Sequence, residues 1–118
     1  MNLCLGASGE LFVVDLDHVC FFQADDHYAH VYYDTNAHFM IPFGLACLEE
    51  EIAVLCGGNN HLVRVGRSYI VNLKKVFYIN VLKQEVMLTC VQGQHHVLHV
   101  SKTALRNLME KVKEDNKE

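Results

Sequence analysis

The stretch that decides the fold is VRVGRSYIVNL, residues 63–73, because its pattern differs from that of the sequence around it. Two arginines, Arg64 and Arg67, stand three residues apart and are followed by an aromatic residue and an apolar run. Their guanidinium groups suit phosphate oxygens or the edge of a guanine base. Asn72 interrupts the apolar run, which predicts a hydrogen bond from its side chain to the backbone that fixes a turn. The stretch therefore predicts a structured turn that presents positive charge.

Most of the flanking sequence is typical of β-strands. Short runs of β-branched and aromatic residues alternate with polar or glycine-containing segments, of which KQ at 83–84 and QGQ at 92–94 predict hairpin turns. Pro42 ends the first group of strands, since proline has no amide hydrogen for a strand ladder. The expected strands are residues 11–14, 18–23, 30–33, 36–43, 62–65, 76–80, 85–90 and 95–100.

Two segments instead have helical spacing. Apolar residues recur at three- and four-residue steps in residues 45–55, and Glu49 to Glu51 occupy the opposite face. The sequence GGNN at 57–60 predicts the end of this helix. Ser101 is the expected N-cap of a second helix, whose apolar stripe extends through residues 105–112. The chain is therefore expected to be mainly β, with one short helix in the middle and one at the C-terminus.

Length and composition predict a single globular domain. The chain has 118 residues, of which 51% are hydrophobic and 20% are charged, and this composition excludes a disordered or collagen-like protein. No apolar run approaches the roughly 18 residues that a membrane-spanning helix needs. The first ten residues, MNLCLGASGE, lack the positive charge of a signal peptide. We therefore expect a cytoplasmic location and no contact with a membrane.

The charges are distributed unevenly along the chain. Residues 1–60 contain nine acidic residues and no Lys or Arg, whereas residues 61–118 contain all ten basic residues and five acidic ones. The two halves thus carry formal charges of −9 and +5 within a net charge of −4. Such asymmetry is typical of a surface that faces a polyanion, but a solvated basic face with a Lys-rich helix gives the same pattern.

The cysteines predict reduced, buried thiols. There are five of them, an odd number, and no two form a C-x-x-C pair. That spacing fits core cysteines better than a disulfide framework or a zinc knuckle.

Catalytic and metal-binding patterns are weak. The sequence has no glycine-rich phosphate loop and no nucleophile elbow, and we expect the adjacent Asp25 and Asp26 to be solvated turn residues. His95, His96 and His99 suggest a metal site, but alternate residues of a strand point to opposite faces, which leaves too few ligands for zinc. We expect a protein that is not an enzyme and needs no cofactor or metal.

The stretch at 63–73 resembles the signature of the LytTR DNA-binding domain, whose pattern is close to F-x-R-x-H-R-S-[YF]-[IVL]-V-N. The resemblance extends over residues 16–112. FQADDHY at 22–28 resembles the family's I-E-A-x-x-N-Y segment, and IPFGL at 41–45 resembles its strand-to-helix junction. VSK at 100–102 resembles the family's V-S-R entry into the last helix.

The resemblance implies LytTR-like stacked β-sheets in which loops, and not a recognition helix, enter successive major grooves. It also implies three places that contact DNA. They are the first loop with His27, Tyr28, Ala29 and His30; the turn with Arg67 as the base reader and Arg64, Ser68 and Asn72 nearby; and Lys102.

The chain departs from the family pattern at several positions. Gly66 stands where the family usually has His, and Lys102 stands where Arg is common, so a point charge replaces a bidentate fork. Asp25 and Asp26 repel phosphate if they face it. Arg64 also has a second interpretation, an ion pair with Glu49 or Glu50.

We therefore expect a transcriptional regulator that binds double-stranded DNA at paired promoter sites, as two copies on half-sites roughly 10 bp apart. A regulatory protein partner is expected to supply the input signal. The alternative is a LytTR-like protein-interaction module that has lost DNA binding, and a metal-sensing variant ranks third. The expected organisation is an N-terminal segment at 1–15, the LytTR-like domain at 16–112 and a charged tail at 113–118.

Overall fold

The structure, a computed structural model, describes residues 1–58 and 60–117. Ten strands and two helices follow one another along the described chain, together with two single 3-10 turns at Leu16–His18 and Leu73–Lys75. The strands are β1 (Asn2–Ala7), β2 (Glu10–Asp15), β3 (Val19–Asp25), β4 (Tyr28–Tyr33), β5 (His38–Ile41), β6 (Leu62–Val65), β7 (Tyr69–Asn72), β8 (Val76–Asn80), β9 (Glu85–Val91) and β10 (Gln94–His99), and the helices are α1 (Leu45–Cys56) and α2 (Lys102–Asp115).

The strands form three antiparallel sheets. β1 and β2 make a hairpin, β5-β4-β3-β7-β6 make a five-stranded sheet, and β10-β9-β8 make a three-stranded sheet. This arrangement confirms the expected mainly β fold with a helix in the middle and a helix at the C-terminus. The strand β7 lies inside the stretch 63–73, where the sequence predicted a turn but not the strand after it.

The five-stranded sheet separates two hydrophobic cores, because successive side chains of a strand point to opposite faces. Phe22 on β3 lies in the first core, beneath the β1–β2 hairpin and α1. Phe21, its neighbour, lies in the second core, which the three-stranded sheet and α2 cover. Both phenylalanine side chains are almost completely buried. The sheet thus serves as the rigid middle layer from which the connecting turns project.

Both helices form where the apolar spacing predicts them. In α1, Leu45, Leu48 and Ile52 are buried against the first core. The helix ends at Gly57, whose φ of 65° is a conformation that glycine adopts without steric cost. Asn59, part of the expected stop signal, lies outside the described residues. In α2, the Ser101 hydroxyl accepts a hydrogen bond from the Ala104 amide over 3.3 Å, which confirms the predicted N-cap.

The N-terminal residues form part of the first core. Residues 1–15, which we expected to precede the domain, form the β1–β2 hairpin, and Leu3 and Leu5 of β1 are buried. Cys4 and Gly6, which alternate with these leucines, are exposed. The sequence did not predict β1, because Cys4 is apolar and hides the alternation, and Gly6 is a weak strand former. The alternation of burial became apparent only from the pairing with β2.

The expectation that all five cysteines are reduced is wrong. Cys20 on β3 and Cys90 on β9 form a disulfide, with Cα atoms 5.6 Å apart and a sequence separation of 70. Burial was also predicted incorrectly for Cys4 and Cys47, which are exposed. The two bonded cysteines belong to different sheets that meet across the second core, so their spacing in sequence carries no sign of their proximity.

Candidate nucleic-acid interface

The turn between β6 and β7 presents Arg67. Val65 pairs with Tyr69 across the two strands, which leaves Gly66, Arg67 and Ser68 as a three-residue connection. Gly66 has a φ of 63°, in the left-handed region that costs most other residues about 1–2 kcal/mol. Arg67 and Ser68 are exposed. Within the described parts of the chain, the Arg67 side chain has no hydrogen bond or ion pair, so its guanidinium is available to a ligand.

Arg64 is held by the turn and by α1. Its Nε donates to the Gly66 carbonyl over 3.0 Å, and its Nη2 donates to the Arg67 carbonyl over 3.4 Å. Its Nη1 lies 3.2 Å from Oε1 of Glu49. The structure therefore contains the ion pair of the second interpretation, and Arg64 presents its charge to the protein.

Asn72 lies inside the protein. Its Nδ2 donates to the Val19 carbonyl over 2.9 Å, and its Oδ1 accepts from the Lys74 amide over 2.9 Å. The predicted hydrogen bond from this side chain to the backbone is confirmed. Since only 8% of Asn72 is exposed, its amide links β7 to β3 and offers no surface to DNA.

The turn between β3 and β4 carries the first loop of the expected DNA contacts. Asp26 has a left-handed φ of 57°, and His27 and Tyr28 are exposed. Ala29, in contrast, is fully buried in the first core, which excludes a side-chain contact with DNA. His30 lies on β4, where its Nε2 is 2.9 Å from Asp25.

The two turns lie at the same end of the five-stranded sheet. β3 is antiparallel to both β4 and β7, and Gln23 near its end pairs with Tyr69 at the start of β7. One end of the sheet therefore contains the end of β3 and the starts of β4 and β7. Arg67 and His27 project from this end.

The start of α2, the third expected place, lies beside the β6–β7 turn. A Cβ at Gly66 would lie 3.6 Å from Cγ1 of Val100 and 3.8 Å from Cβ of Ala104. Lys102 and Arg106 are exposed and stand four residues apart, on one face of the helix. An open groove of about 390 Å³ runs between the turn and this junction, lined by residues that include Arg67, Ser68, His99 and Ser101. His99 was not predictable as a groove residue, because nothing in its neighbours along the strand indicates the turn that lies beside it.

Two other lysines of the basic half lie at the opposite end of the sheet. Lys74 and Lys75 follow the far end of β7, and their Nζ atoms lie 3.3 Å from Asp115 and 3.1 Å from Asp34. The pairing with Lys75 and with His18 lowers the pKa of Asp34 against the effect of its partial burial. These lysines are therefore separated from Arg67 and are already paired.

Histidines and carboxylates surround the β3–β4 turn. Nδ1 of His30 lies 2.8 Å from Nε2 of His38, whose ring stacks on Tyr32 at 4.2 Å. Partial desolvation, and then the charge of His30, lower the pKa of His38. His38 was not a candidate residue, because only the pairing of β4 with β5 brings it to His30. Desolvation also raises the pKa of Tyr69.

The adjacent His95 and His96, near the start of β10, point in opposite directions, as predicted. The His96 ring lies 5.2 Å from that of Phe21, towards the second core, whereas the His95 ring lies 4.8 Å from that of Phe77 on the outer face. In residues 1–58 and 60–117, no group of three or more His, Cys, Asp or Glu side chains is arranged to hold a metal ion.

Comparison with known proteins decides the family. The family model for the LytTr DNA-binding domain matches residues 9–113, most of the chain. The chain belongs to the LytTR family. The match begins at residue 9, ahead of the expected boundary at residue 16, and so includes β2. No curated protein matches the chain significantly.

A solved structure shows the same LytTR fold. The LytTr DNA-binding domain of a response regulator from Bacillus cereus superposes with a TM-score of 0.59 at 19% sequence identity, over 94% of each chain. The family is one of DNA-binding domains and not of enzymes, so membership supports DNA as the partner in general. Along the described residues, every helix is too short or too polar to cross a membrane.

Proposed function

We propose that this LytTR protein is a sequence-specific transcriptional regulator that reads successive major grooves of DNA through its loops. The observation that carries the proposal is the convergence of three segments, distant in sequence, at one end of the molecule. These are the β3–β4 turn, the β6–β7 turn and the start of α2. Loops at one end of a rigid sheet form a site whose parts keep a fixed spacing.

Arg67 is proposed as the base reader. It is exposed on a turn between two paired strands, and it has no partner among the described residues. Its planar fork can donate two hydrogen bonds to O6 and N7 of a guanine, which is the commonest specific contact in a major groove. Ser68 beside it can donate to a phosphate or to a base edge.

The start of α2 is proposed to hold the phosphate backbone. Lys102 and Arg106 share an exposed face, and the positive end of the helix dipole lies at the same place. A lysine suits this role, because a phosphate contact needs a charge but not a fork. These contacts would fix the register of the protein on the duplex without specifying its sequence.

The β3–β4 turn is proposed to enter the neighbouring groove with His27 and Tyr28. Both side chains are exposed, and both can donate hydrogen bonds to bases or phosphates. His30 is proposed to support this turn through Asp25. Ala29 and Asn72 are excluded from the proposed contacts by burial, and Arg64 by its bonds within the protein.

We propose that two copies bind paired promoter sites, with half-sites roughly 10 bp apart, because one copy offers a small interface. A regulatory protein partner would then supply the signal. We propose a cytoplasmic location, because promoter DNA would be its ligand there.

The test is selection of binding sites from a pool of random duplex DNA. Enrichment of one motif, repeated at about one helical turn, supports the proposal. Recovery of unrelated duplexes without a common motif would leave a non-specific binder, and recovery of no duplex would overturn the proposal.

The second candidate is the protein-interaction module. Two observations favour it: Asp25 and Asp26 lie at the same end as Arg67, and Leu11 and Val13 of β2 are exposed apolar residues, at 67% and 49%. Failure of the selection, together with a stable protein complex that requires Leu11, would support this candidate.

A further inference from the structure

We propose that Arg64 is a positioning residue that sets the shape of the β6–β7 turn, and that Glu49 on α1 orients Arg64. The inference rests on the proposed function for its effect on DNA, but its effect on the turn can be measured without DNA. In this role Arg64 holds the backbone that presents Arg67, and Arg64 itself does not contact DNA.

The bonds of Arg64 hold the turn at two points. One guanidinium donates to the carbonyl of Gly66 over 3.0 Å and to that of Arg67 over 3.4 Å. These carbonyls belong to the two consecutive peptides on either side of Arg67, directly after the left-handed Gly66, where the chain reverses direction. A rigid planar fork fixes both carbonyls at once, whereas the rotating ammonium of a lysine is a point charge on a flexible stem. The side chain of Arg67 then projects from a backbone that has one conformation.

Glu49 supplies the third contact and ties the turn to the first core. Its carboxylate lies 3.2 Å from Nη1 of Arg64. Leu48 and Ile52, which lie on the same helix, are buried in the first core. Their packing fixes the position of α1 and therefore the position of Glu49. Glu50 has no ion pair among the residues that the structure describes, although it stands on the same helix.

The orientation of Arg64 predicts which property of DNA binding it controls. Its charge is directed at Glu49 and at carbonyl oxygens, and its side chain is only 28% exposed. Loss of the guanidinium fork should therefore weaken the discrimination between DNA sequences, which depends on the placement of Arg67. It should not change the number of phosphates that the protein neutralises.

The experiment compares the unaltered chain with Arg64→Lys and Glu49→Gln, and uses Glu50→Gln as the matched control. Affinity is measured on a duplex recovered by selection and on a scrambled duplex, across a range of salt concentrations. We expect Arg64→Lys to reduce the ratio of the two affinities about tenfold, in the range of one bidentate base contact. Glu49→Gln should reduce it by a smaller factor, and Glu50→Gln should leave it unchanged. The salt dependence should stay the same in all three variants.

The free protein provides the second readout. NMR order parameters of the Gly66 and Arg67 amides should fall in Arg64→Lys, while those of the β3–β4 turn stay unchanged. Unchanged order parameters at the β6–β7 turn would overturn the positioning role, whether or not the protein binds DNA. A further variant, Arg64→Ala, removes the charge as well as the fork. If it reduces the salt dependence by about one contact, with equal loss on both duplexes, Arg64 is a phosphate contact and the positioning role is overturned. If the wild type binds no duplex, the proposed function fails while the order parameters still decide this inference.

Discussion

The amide of Ala24 donates a hydrogen bond to the carbonyl of Ser68 over 2.8 Å. This bond joins the last residues of β3 to the turn that carries Arg67, beyond the last paired residues of β3 and β7. The β3–β4 turn and the β6–β7 turn are therefore held at a fixed distance by the backbone itself. Two loops that are about forty residues apart in sequence can act on one ligand for this reason.

Arg67→Ala should abolish the preference for a selected duplex and leave the melting temperature nearly unchanged. The side chain is exposed and has no partner in the described chain, so its removal costs little stability. Loss of one bidentate base contact corresponds to about 1–3 kcal/mol of discrimination. Affinity for the selected and the scrambled duplex, measured beside a thermal melt, checks this result.

Arg67→Lys is the matched control, because it keeps the charge and removes the fork. It should lose most of the preference but retain the weaker, non-specific affinity. Equal loss on both duplexes in Arg67→Ala would show a phosphate contact instead, and a large drop in melting temperature would show a structural role.

Lys102→Ala should make the slope of log affinity against log salt less negative by about 0.9, the value for one phosphate contact. Lys74→Ala, which also removes one lysine, should leave the slope unchanged, since Lys74 lies at the far end of the sheet and pairs with Asp115. The measurement is a salt titration of both variants on the same duplex. A change of slope in Lys74→Ala of the same size would place the DNA elsewhere on the protein.

Asp26→Asn should tighten DNA binding several-fold at low salt. Asp26 lies at the same end as Arg67 with 81% of its side chain exposed, so its charge opposes that of the phosphates. Asn tolerates the left-handed backbone at this position, where φ is 57°. Glu51→Gln on the exposed face of α1 is the control and should have no effect. Unchanged affinity in Asp26→Asn would mean that this turn faces away from DNA.

Reduction of the Cys20–Cys90 disulfide should lower the free energy of unfolding by about 4 kcal/mol, the chain-entropy value for a loop of this length. The double variant Cys20→Ala, Cys90→Ala should show no response to reductant. Denaturant titrations with and without reductant measure the change. Thiol titration of the denatured, unreduced protein should find three free thiols, Cys4, Cys47 and Cys56. Five free thiols would contradict the disulfide.

The local elements were predictable because local rules govern them. The spacing of Leu45, Leu48 and Ile52 predicted α1, and Ser101 predicted the start of α2. The polar Asn72 in an apolar run predicted its bonds to the backbone. Each of these signals depends on residues that are close together in sequence.

The features that sequence did not predict depend on how distant segments meet. The Cys20–Cys90 bond joins two sheets, and Gly66 lies close to Val100, which places a turn beside a helix start. Sequence also gave no means to separate Lys102, which is exposed at the site, from Lys74, which is paired at the other end. Such distinctions require the three-dimensional arrangement, because every lysine contributes the same charge to the composition.

The salt dependence of binding tests the central claim most directly. Two exposed cations at the site, Lys102 and Arg106, are proposed to contact phosphates, and each phosphate contact contributes about −0.9 to the slope of log affinity against log salt. We therefore predict a slope of about −2 for each bound copy on a selected duplex, between low and physiological salt. A slope near zero, or no binding to any duplex at low salt, would contradict the DNA-binding function and favour the protein-interaction module.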